Sequence, residues 1–326
     1  MNQASLEMKA VTISKYGDQS VLTYGDIKRP KPKSDEILVH NRAVAVNPVD
    51  WKIRNGLGEM FGLQLPIVLG CEIAGTIDEV GSDVRDFHAG DPVYGYVSLQ
   101  RNGGYAEYTI AKPDEIAPKP ESLDFDNAAA VAVGALTSWQ AIFDTANLQA
   151  GQRILITGAS GGVGSMAVQL AKAEGAFVIA TASGKNEEFV LSLGADEFVD
   201  YTREKFEQRV REIDVVFDTV GGDTLERSFE TLRRGGCLVT IVMPPSNEKA
   251  ENYGVRASMI GVQPSGKQLR EINQLIAAGK LKTHIATVLP LSEVRKAHQL
   301  SESGRTRGKI ILHPSESLAR RVPDRH

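Results

Sequence analysis

The order of apolar and polar residues divides the chain into two regions. Up to about residue 116, short apolar or alternating runs such as 11–13, 37–39 and 105–110 are separated by turns that contain glycine. Such runs are typical of β-strands. From about residue 123, helical periodicity alternates with short apolar runs, which predicts helices between strands. The pattern therefore predicts an α/β protein in which a β-rich region precedes a doubly wound parallel sheet.

The stretch 153–185 predicts the first part of that sheet. Its first strand is Ile154–Ile156 and its second is Phe177–Thr181, with a glycine-rich turn and a helix between them. A turn of this kind lets the backbone approach a pyrophosphate at the N-terminus of the helix. We therefore interpret the stretch as a dinucleotide site. The apolar face of the helix consists of Val163, Met166, Ala167, Leu170 and Ala171.

The glycines fit the dinucleotide fingerprint in two registers. One begins at Ala159 and continues with Gly161 and Gly164, and the other uses Gly162, Gly164 and Ala167. A glycine motif alone is weak evidence, because a turn that merely connects two elements has the same composition. The motif is preceded by a strand and followed by a helix and a second strand, and this context favours a nucleotide-binding site. The candidate pyrophosphate-binding residues are Ser160, Gly161, Gly162, Val163 and Gly164.

The residue after the second strand bears on the choice of nucleotide. NAD sites place Asp or Glu about 20 residues beyond the glycines, where the carboxylate accepts from the ribose 2′-hydroxyl. Here that position is Ser183, and Lys185 follows two residues later. A hydroxyl and an ammonium can bind a 2′-phosphate, which a carboxylate would repel. We therefore predict NADPH rather than NADH, although Lys185 by itself also fits an ordinary solvated lysine.

The rest of the chain continues the alternation of helices and strands. Residues 244–262, which carry several Asn and Glu side chains, are interpreted as a mobile lid over the site. The charged tail 315–326 lacks periodicity and is expected to be mobile. Expected helices cover 186–193, 223–234, 268–278 and 291–301, and expected strands cover 197–199, 214–220, 237–243, 285–288 and 309–312.

Composition narrows the range of partners. The chain has 326 residues, of which 42% are hydrophobic, and a net charge of −4. Lys and Arg form no long runs, so nucleic acid and anionic membranes are poor candidates. The two cysteines, Cys71 and Cys237, indicate no disulfide framework. Because the chain has neither a secretory apolar segment nor a spanning run of about 20 apolar residues, we expect a soluble cytoplasmic protein.

Several motifs together resemble the medium-chain dehydrogenase/reductase superfamily. The specific ones are the segments 47–56, 65–72 and 103–108, with Asp200 and Tyr201, in addition to the dinucleotide turn. Within the superfamily, the chain is similar to zinc-independent quinone oxidoreductases and to enone or alkenal reductases. The resemblance implies a GroES-like β-barrel domain made of 1–125 and 267–314. A Rossmann dinucleotide-binding domain at 126–266 is then inserted between those two parts.

The same resemblance raises the question of a metal, because alcohol dehydrogenases of this superfamily hold a catalytic zinc. Zinc needs convergent Cys, His or carboxylate ligands. This sequence has Asn47 and Cys71 at two of the family's ligand positions, and the third falls near Val133. We therefore predict no metal and interpret Cys71 as a small buried thiol. Histidines without ligand spacing to either cysteine are His40, His88, His284, His298, His313 and His326.

The resemblance also implies roles for individual residues. Lys52 and Asn47 are the candidate catalytic residues. Lys52 would donate a hydrogen bond to the oxygen of the acceptor, and the alternative is a surface lysine on a short helix. The implied cofactor contacts are Asn47, Asp50 and Thr137 around the nicotinamide, Ser183, Lys185 and Tyr201 at the 2′-phosphate and adenine, and Val220, Ile241, Val242, Met243, Arg307 and Gly308 at the nicotinamide ribose or cofactor edge. Asp50 could equally be a structural cap for the following turn.

These observations predict an NADPH-dependent reductase that needs no zinc and transfers hydride to a quinone or an α,β-unsaturated carbonyl. Such acceptors are electrophilic without a metal, and a donor near the developing oxyanion lowers the barrier. One alternative is a reductase of other small carbonyls. Another is an NADPH-binding protein of the same fold with little turnover. The resemblance further implies a homodimer formed by pairing the edges of two nucleotide-domain sheets.

Overall fold

The computed structural model of the protein describes residues 6–98 and 100–315. Of the tail expected to be mobile, residues 316–326 lie outside this description. The described chain forms two compact units. Unit 1 comprises residues 6–133, 264–277 and 283–315, and unit 2 comprises residues 134–263 and 278–282. The inserted domain was expected at 126–266.

The described residues form sixteen strands and eleven α-helices. Among them, no helix is both long enough and apolar enough to span a bilayer. The strands are β1 (Glu7–Ile13), β2 (Thr23–Lys28), β3 (Ile37–Val46), β4 (Ile67–Val68), β5 (Glu72–Val80), β6 (Pro92–Tyr96), β7 (Tyr108–Ala111), β8 (Ile116–Pro118), β9 (Arg153–Ile156), β10 (Phe177–Ala182), β11 (Glu197–Asp200), β12 (Ile213–Asp218), β13 (Leu232–Thr240), β14 (Arg256–Met259), β15 (Ile285–Pro290) and β16 (Lys309–His313). The helices are α1 (Pro48–Lys52), α2 (Gly58–Met60), α3 (Phe125–Ala129), α4 (Ala132–Trp139), α5 (Gly164–Glu174), α6 (Glu187–Ser192), α7 (Phe206–Arg209), α8 (Gly222–Ser228), α9 (Asn247–Tyr253), α10 (Gly266–Ala277) and α11 (Val294–Glu302).

Unit 1 is the β-rich, GroES-like unit. One sheet has the order β2-β1-β4, and the other has the order β15-β16-β3-β5-β6-β8, with β7 also paired to β3. Strand β16 pairs antiparallel with β3, with Ile310 opposite Val46. The last strand of the chain therefore lies beside the end of β3, directly before residue 47. This pairing brings residues more than 260 positions apart into one neighbourhood.

The core of unit 1 is formed by the inward-facing apolar residues of these strands and by helix α11. Strand β3 is central in its sheet, and eight of its ten residues are buried. Its apolar run is therefore nearly continuous, as expected for a strand covered on both faces. Other core residues from distant parts of the chain include Val11, Ile73, Val93, Val294 and Leu312.

Unit 2 is a doubly wound parallel sheet, as the sequence predicted. Its strand order is β11-β10-β9-β12-β13-β14, and every neighbouring pair is parallel. In chain order within the unit this is 3-2-1-4-5-6, the order of Rossmann dinucleotide-binding sheets. Helix α5 follows β9, and its C-cap is Gly175, which adopts φ +92°. Its apolar face is buried, including Met166, Ala167 and Leu170.

The helix predicted over 223–234 is shorter than expected. Helix α8 ends at Ser228, a 3-10 turn covers Phe229–Thr231, and β13 begins at Leu232. The prediction is therefore wrong for its last three residues. Leu232 pairs with Ile213 of β12, so sheet pairing outweighs the local helical periodicity at this point.

The segment 244–262 contains regular structure rather than only a polar loop, and its role as a lid stays a prediction. It forms helix α9 and the edge strand β14. The Ser246 hydroxyl caps α9 by accepting from the Lys249 N–H at 3.2 Å, and Gly254 ends the helix with φ +64°. The cap and the glycine are sequence signals of a helix that the polar composition of the segment obscured.

Candidate cofactor and active site

The carboxyl edge of the unit 2 sheet gathers most of the predicted cofactor residues. Strand β9 lies between β10 and β12. The strand order reverses between β9 and β12, and parallel sheets bind nucleotides at this kind of crevice. The predicted residues that follow the strand ends are Ser160, Gly161, Gly162, Val163 and Gly164 after β9, Ser183 and Lys185 after β10, Tyr201 after β11, Val220 after β12, and Ile241, Val242 and Met243 after β13.

The glycine turn begins at Gly158, one glycine earlier than the sequence registers suggested. Gly158 adopts φ +65°, and a Cβ on it would lie 2.5 Å from Thr219 Oγ1. A Cβ on Gly164 would lie 2.3 Å from the Gly158 carbonyl oxygen. The first turn of α5 therefore packs backbone to backbone on the end of β9, which is the role of a dinucleotide-site glycine. The position of Gly158, just after an apolar strand, is the signal that was missed.

Helix α4 contacts the same turn. A Cβ on Gly134 would lie 2.7 Å from the Gly162 carbonyl oxygen, and Ser138 Oγ lies 3.0 Å from the Val163 carbonyl oxygen. Thr137 lies between these two contacts on the helix and is buried. Thr137, which is predicted to lie near the nicotinamide, is therefore part of the helix that packs against the glycine turn.

Ser183, Lys185 and Tyr201 lie at neighbouring strand ends. Strands β10 and β11 pair Ala182 with Asp200, so Ser183 and Tyr201 each follow one member of that pair. Lys185 is exposed, and Tyr201 is 58% exposed. An exposed tyrosine at this edge differs from the core position that its apolar ring alone would suggest.

Asp200 places a carboxylate at this corner that the sequence analysis did not weigh. Thr202 donates to Asp200 Oδ1 through its hydroxyl at 2.7 Å and its N–H at 3.0 Å, and the Gly184 N–H donates to the same carboxylate. These hydrogen bonds, above all the one from the Thr202 hydroxyl, hold the pKa of Asp200 below its usual value. The carboxylate is ionised and already accepts from several donors.

A second carboxylate, Asp218, connects three strand ends. Its Oδ1 accepts from Thr157 Oγ1 at 2.8 Å, and its Oδ2 accepts from Thr240 Oγ1 at 3.0 Å and from the Gly221 N–H at 2.9 Å. Asp218 is completely buried. The ends of β9, β12 and β13 are thereby held at one level, just before the predicted segment Ile241–Met243. A lone carboxylate that ends an apolar strand was the sequence signal for this residue.

In unit 1, helix α1 carries the two candidate catalytic residues. Asn47 is its N-cap, and Asp50 Oδ2 accepts from the Asn47 N–H at 2.7 Å, which is the return bond of a capping box. Lys52 is half-buried, with Nζ 5.8 Å from the centre of the Trp51 ring. Within the described part of the chain, the Lys52 ammonium has no ion pair or hydrogen bond.

Glu72 and Lys309 form a buried ion pair beside Asn47. Lys309 Nζ lies 2.8 Å from Glu72 Oε2 and donates to Asn47 Oδ1 at 2.6 Å. Asn47 Nδ2 donates to Glu72 Oε2 at 3.0 Å, and Glu72 Oε1 accepts from the Val133 N–H at 2.8 Å. Glu72 is 0% exposed and Lys309 is 5% exposed. Each charge is thus compensated within the cluster, as buried charges require, and both polar atoms of the Asn47 amide are engaged.

Asp50 adds another buried carboxylate to this cluster. Its Oδ2 accepts from the Tyr105 hydroxyl at 2.7 Å, and Cys71 Sγ lies 4.0 Å from its Oδ1. Burial raises the pKa of Asp50 to about 7. Burial also raises the pKa of Cys71 well above its ordinary value, so its thiol stays protonated and unreactive.

Arg307 and Gly308 directly precede β16. Gly308 adopts φ +76°, and a Cβ on it would lie 2.1 Å from the His284 carbonyl oxygen. The structure therefore gives Gly308 a packing role beside the first residues of β15. Arg307 is half-buried.

Comparisons with known proteins agree with this architecture. Residues 33–121 match the family model described as an alcohol dehydrogenase GroES-like domain, and residues 193–312 match the one described as a zinc-binding dehydrogenase. The chain is 36% identical to a 2-methylene-furan-3-one reductase from Solanum lycopersicum over 94% of this chain and 79% of that protein. It is also 36% identical to a chloroplastic NADPH-dependent alkenal/one oxidoreductase from Arabidopsis thaliana over 94% of this chain and 80% of that protein. The structure of a quinone oxidoreductase from Coxiella burnetii is similar with a TM-score of 0.89 and 35% identity, covering 94% and 99% of the two chains.

The chain belongs to the medium-chain dehydrogenase/reductase superfamily, in its quinone oxidoreductase branch. The resemblance of the sequence motifs to this family is thereby confirmed, and so is the predicted combination of a GroES-like unit with a Rossmann sheet. Members of the superfamily are oxidoreductases. The expected cytoplasmic location and the homodimer stay predictions.

The description of one matching family model implies a bound zinc ion. The residues of this chain do not fit such an ion. Among the described residues, no group of three or more His, Cys, Asp and Glu side chains could hold a metal ion. At the relevant positions, Asn47 contributes an amide and Cys71 a protonated thiol, and the positive charge facing Glu72 is the Lys309 ammonium. An ammonium donates hydrogen bonds and cannot coordinate zinc. The missing ligands are visible in the sequence, whereas the pairing of Lys309 with Glu72 appears only in the folded chain.

Proposed function

We propose that this chain is an NADPH-dependent, zinc-independent reductase that transfers hydride to a quinone or an α,β-unsaturated carbonyl. The observation that carries the proposal is the glycine turn Gly158–Gly164 at the reversal point of a 3-2-1-4-5-6 parallel sheet. The acceptor class is supported by the relatives, which are named as reductases of quinones, alkenals and enones. The residues proposed below to bind the cofactor lie mostly at the carboxyl edge of that sheet, and the residues proposed to act in the reaction belong to helix α1 or to its N-cap, Asn47.

NADPH would supply the hydride, and the chain would supply its binding groups. The backbone of the turn Ser160–Gly164 is proposed to hold the pyrophosphate, since its close packing onto the end of β9 places the N-terminus of α5 at the carboxyl edge of the sheet. Thr137, Val220, Ile241, Val242, Met243, Arg307 and Gly308 stay proposed contacts of the nicotinamide half, and Gly308 has a packing role in addition.

The choice of NADPH over NADH is supported by the chemistry of the corner formed by Ser183, Lys185 and Tyr201. A hydroxyl stands at the end of β10 where an NAD site would present a carboxylate. Asp200 is a carboxylate on the next strand, but Thr202 and the Gly184 N–H already donate to it. Asp200 is therefore already engaged in the local structure of this corner, and it ends β11 rather than β10, where an NAD-specific acid would stand.

Lys52 is proposed as the donor to the carbonyl or quinone oxygen. Negative charge develops on that oxygen as hydride adds to the acceptor, and a nearby cation stabilises it more than the neutral ground state. The half-buried Lys52 ammonium lies over the Trp51 ring and has no hydrogen-bond or ion-pair partner among the described residues, so no carboxylate competes for it. Removing one such donor typically costs about 2.7 to 4 kcal/mol.

Asn47 is proposed to act mainly by positioning. Its amide oxygen accepts from Lys309, its amide nitrogen donates to Glu72, and its N–H donates to Asp50. These bonds fix the first residue of the helix that carries Lys52. The polar side-chain atoms of Asn47 are occupied by the cluster, so its proposed contribution to the reaction is to hold the helix that carries Lys52.

The proposal is tested by steady-state oxidation of NADPH and of NADH with a panel of quinones and enals. We expect turnover with at least one acceptor of the panel and a lower apparent KM for NADPH. Lys52→Met should lower kcat by about 100-fold or more while leaving the Kd of NADPH nearly unchanged. A lower KM for NADH would contradict the nucleotide choice. Tight NADPH binding without turnover would instead support an NADPH-binding protein of this fold.

A further inference from the structure

Asn186 joins the two parts of the proposed nucleotide site within unit 2. Its Nδ2 lies 3.2 Å from Ser160 Oγ in the glycine turn and 3.1 Å from Ser183 Oγ at the end of β10. Its N–H also donates to the Ser183 carbonyl oxygen at 2.8 Å. The residue is only 7% exposed although it precedes an exposed helix. The side chain is therefore held between two serines that come from different strand ends.

The direction of these hydrogen bonds has a chemical consequence. An amide NH2 group can only donate, so each serine oxygen accepts from Asn186. Each hydroxyl has one hydrogen of its own, which is then left to donate elsewhere. Phosphate oxygens accept hydrogen bonds and never donate them when fully ionised. Two serines oriented in this way are suited to an anionic phosphate ligand.

We propose that Asn186 is a positioning residue that orients the hydroxyls of Ser160 and Ser183 as donors to the phosphate groups of NADPH. The inference rests on the proposed function, since it concerns the same nucleotide site. Ser160 belongs to the turn proposed to hold the pyrophosphate, which NADPH and NADH share. Ser183 stands where the 2′-phosphate distinguishes them. Loss of Asn186 should therefore weaken both nucleotides, and NADPH more than NADH.

The backbone around Ser183 is held from a second direction. The Gly184 N–H donates to Asp200, and a Cβ on Gly184 would lie 2.4 Å from Asp200 Oδ2. The corner is thus fixed by Asn186 within its own turn and by Asp200 from the neighbouring strand. Because Asp200 fixes the backbone, removal of the Asn186 side chain should change mainly the serine hydroxyls. The effect should therefore appear in nucleotide selectivity and only weakly in folding.

The test compares the Kd of NADPH, NADH and adenosine 2′,5′-bisphosphate for the full chain and its variants by calorimetry. Asn186→Asp replaces the donor by a carboxylate, which accepts the serine hydrogens and repels phosphate. We expect it to weaken NADPH and the bisphosphate by about 10- to 100-fold, and NADH by less. Asn186→Ala should show the same order of effects at smaller size. Thermal unfolding of each variant reports its folding separately.

Asn147→Asp is the matched control, since Asn147 lies in the turn before the amino end of β9 and hydrogen-bonds locally with Gln149. It adds the same charge and should leave the ratio of NADPH to NADH affinity at the wild-type value. If Asn186→Asp also leaves that ratio unchanged in a folded protein, the amide does not direct the serines and the inference is wrong. If the wild-type chain itself binds no NADPH, the proposed function fails instead.

Discussion

The nucleotide edge of unit 2 and the polar cluster of unit 1 are built in opposite ways. At the nucleotide edge, glycines bring backbone close to backbone, and the carboxylates of Asp200 and Asp218 accept from hydroxyls and backbone N–H groups rather than from cations buried beside them. In the cluster, Glu72, Asp50 and Lys309 place charged or titratable groups in the protein interior. The first region depends on the fit of short stretches of chain. The second depends on every buried charge having a partner.

This difference determines how each region tolerates change. A misfit at the glycine turn is local, because it shifts a few backbone atoms at the end of one strand. An unpaired charge in the cluster lowers the free energy of unfolding even if the surrounding chain relaxes, because the low-dielectric interior cannot solvate it. We therefore expect substitutions in the cluster to act mainly on stability, and substitutions at the turn to act mainly on nucleotide binding.

The largest effect is expected from Lys309→Met. It leaves Glu72 buried without its cation, and breaking a buried ion pair in this way typically costs about 3 to 5 kcal/mol. Urea unfolding measures the change in the free energy of unfolding. The double variant Glu72→Gln with Lys309→Met removes both charges and should regain much of the loss.

The control for this prediction is Lys296→Met. Lys296 pairs with Glu293 at 3.1 Å on the surface, with 59% and 45% of the two side chains exposed. Surface pairs contribute at most about 1 kcal/mol. Equal losses for the two lysine variants would show that the Glu72–Lys309 pair does not carry the stability ascribed to it.

A smaller effect is expected from Gly164→Ala at the nucleotide edge. The added Cβ would lie 2.3 Å from the Gly158 carbonyl oxygen, so the helix and the strand end must separate. Overpacking of this kind costs about 1 to 3 kcal/mol, and here it should appear chiefly as weaker NADPH binding. Gly261→Ala, where a Cβ meets nothing within 4 Å, should bind NADPH as the wild type does. A Gly164→Ala chain with unchanged Kd would contradict the proposed role of the turn.

A pH-dependent effect is expected from the titration of Asp50. Its pKa is about 7 in the folded chain and about 3.9 in an unfolded one. Between these values the folded state binds more protons, so this group makes the free energy of unfolding fall as pH rises from about 4 to 7. The slope is at most about 1.4 kcal/mol per pH unit.

Asp50→Asn should remove this contribution, so that its stability relative to the wild type increases with pH. Urea unfolding at several values between pH 5 and 8 measures the difference. The exposed Asp86→Asn serves as control and should keep the wild-type slope, because its side chain is on the surface. A parallel pH dependence of Asp50→Asn and the wild type would show that Asp50 is not protonated in the folded chain.

The sequence predicted the nucleotide edge better than the cluster for a physical reason. The turn after β9 is formed by consecutive residues, and its glycines, strand and helix leave a local pattern. Even there, the turn begins at Gly158, outside the fixed spacing of the fingerprint, and the contacts of Asn186 join residues of two separate strand ends. The pairing of Glu72 with Lys309 depends on β16 lying beside β3, and no local pattern encodes a contact across more than 230 residues.

Local periodicity also failed where sheet pairing decided the structure. Residues 232–234 have helical spacing with Leu225 and Phe229 but extend as β13 beside β12. Residues 244–262 were judged by their polar composition, whereas the cap at Ser246 and the glycine at 254 define a helix. Strongly apolar elements, such as β9, α5 and β10, were predicted closely from the sequence alone.

The most direct test of the central claim is to follow the hydride itself. The chain is supplied with NADPH carrying deuterium at C4 of the nicotinamide and with an α,β-unsaturated carbonyl, and the product is analysed by mass spectrometry and NMR. The account predicts a saturated carbonyl with deuterium on the β-carbon, formed equally well after treatment with a zinc chelator. Deuterium on the carbonyl carbon of an allylic alcohol, or loss of the reaction with the chelator, would contradict it.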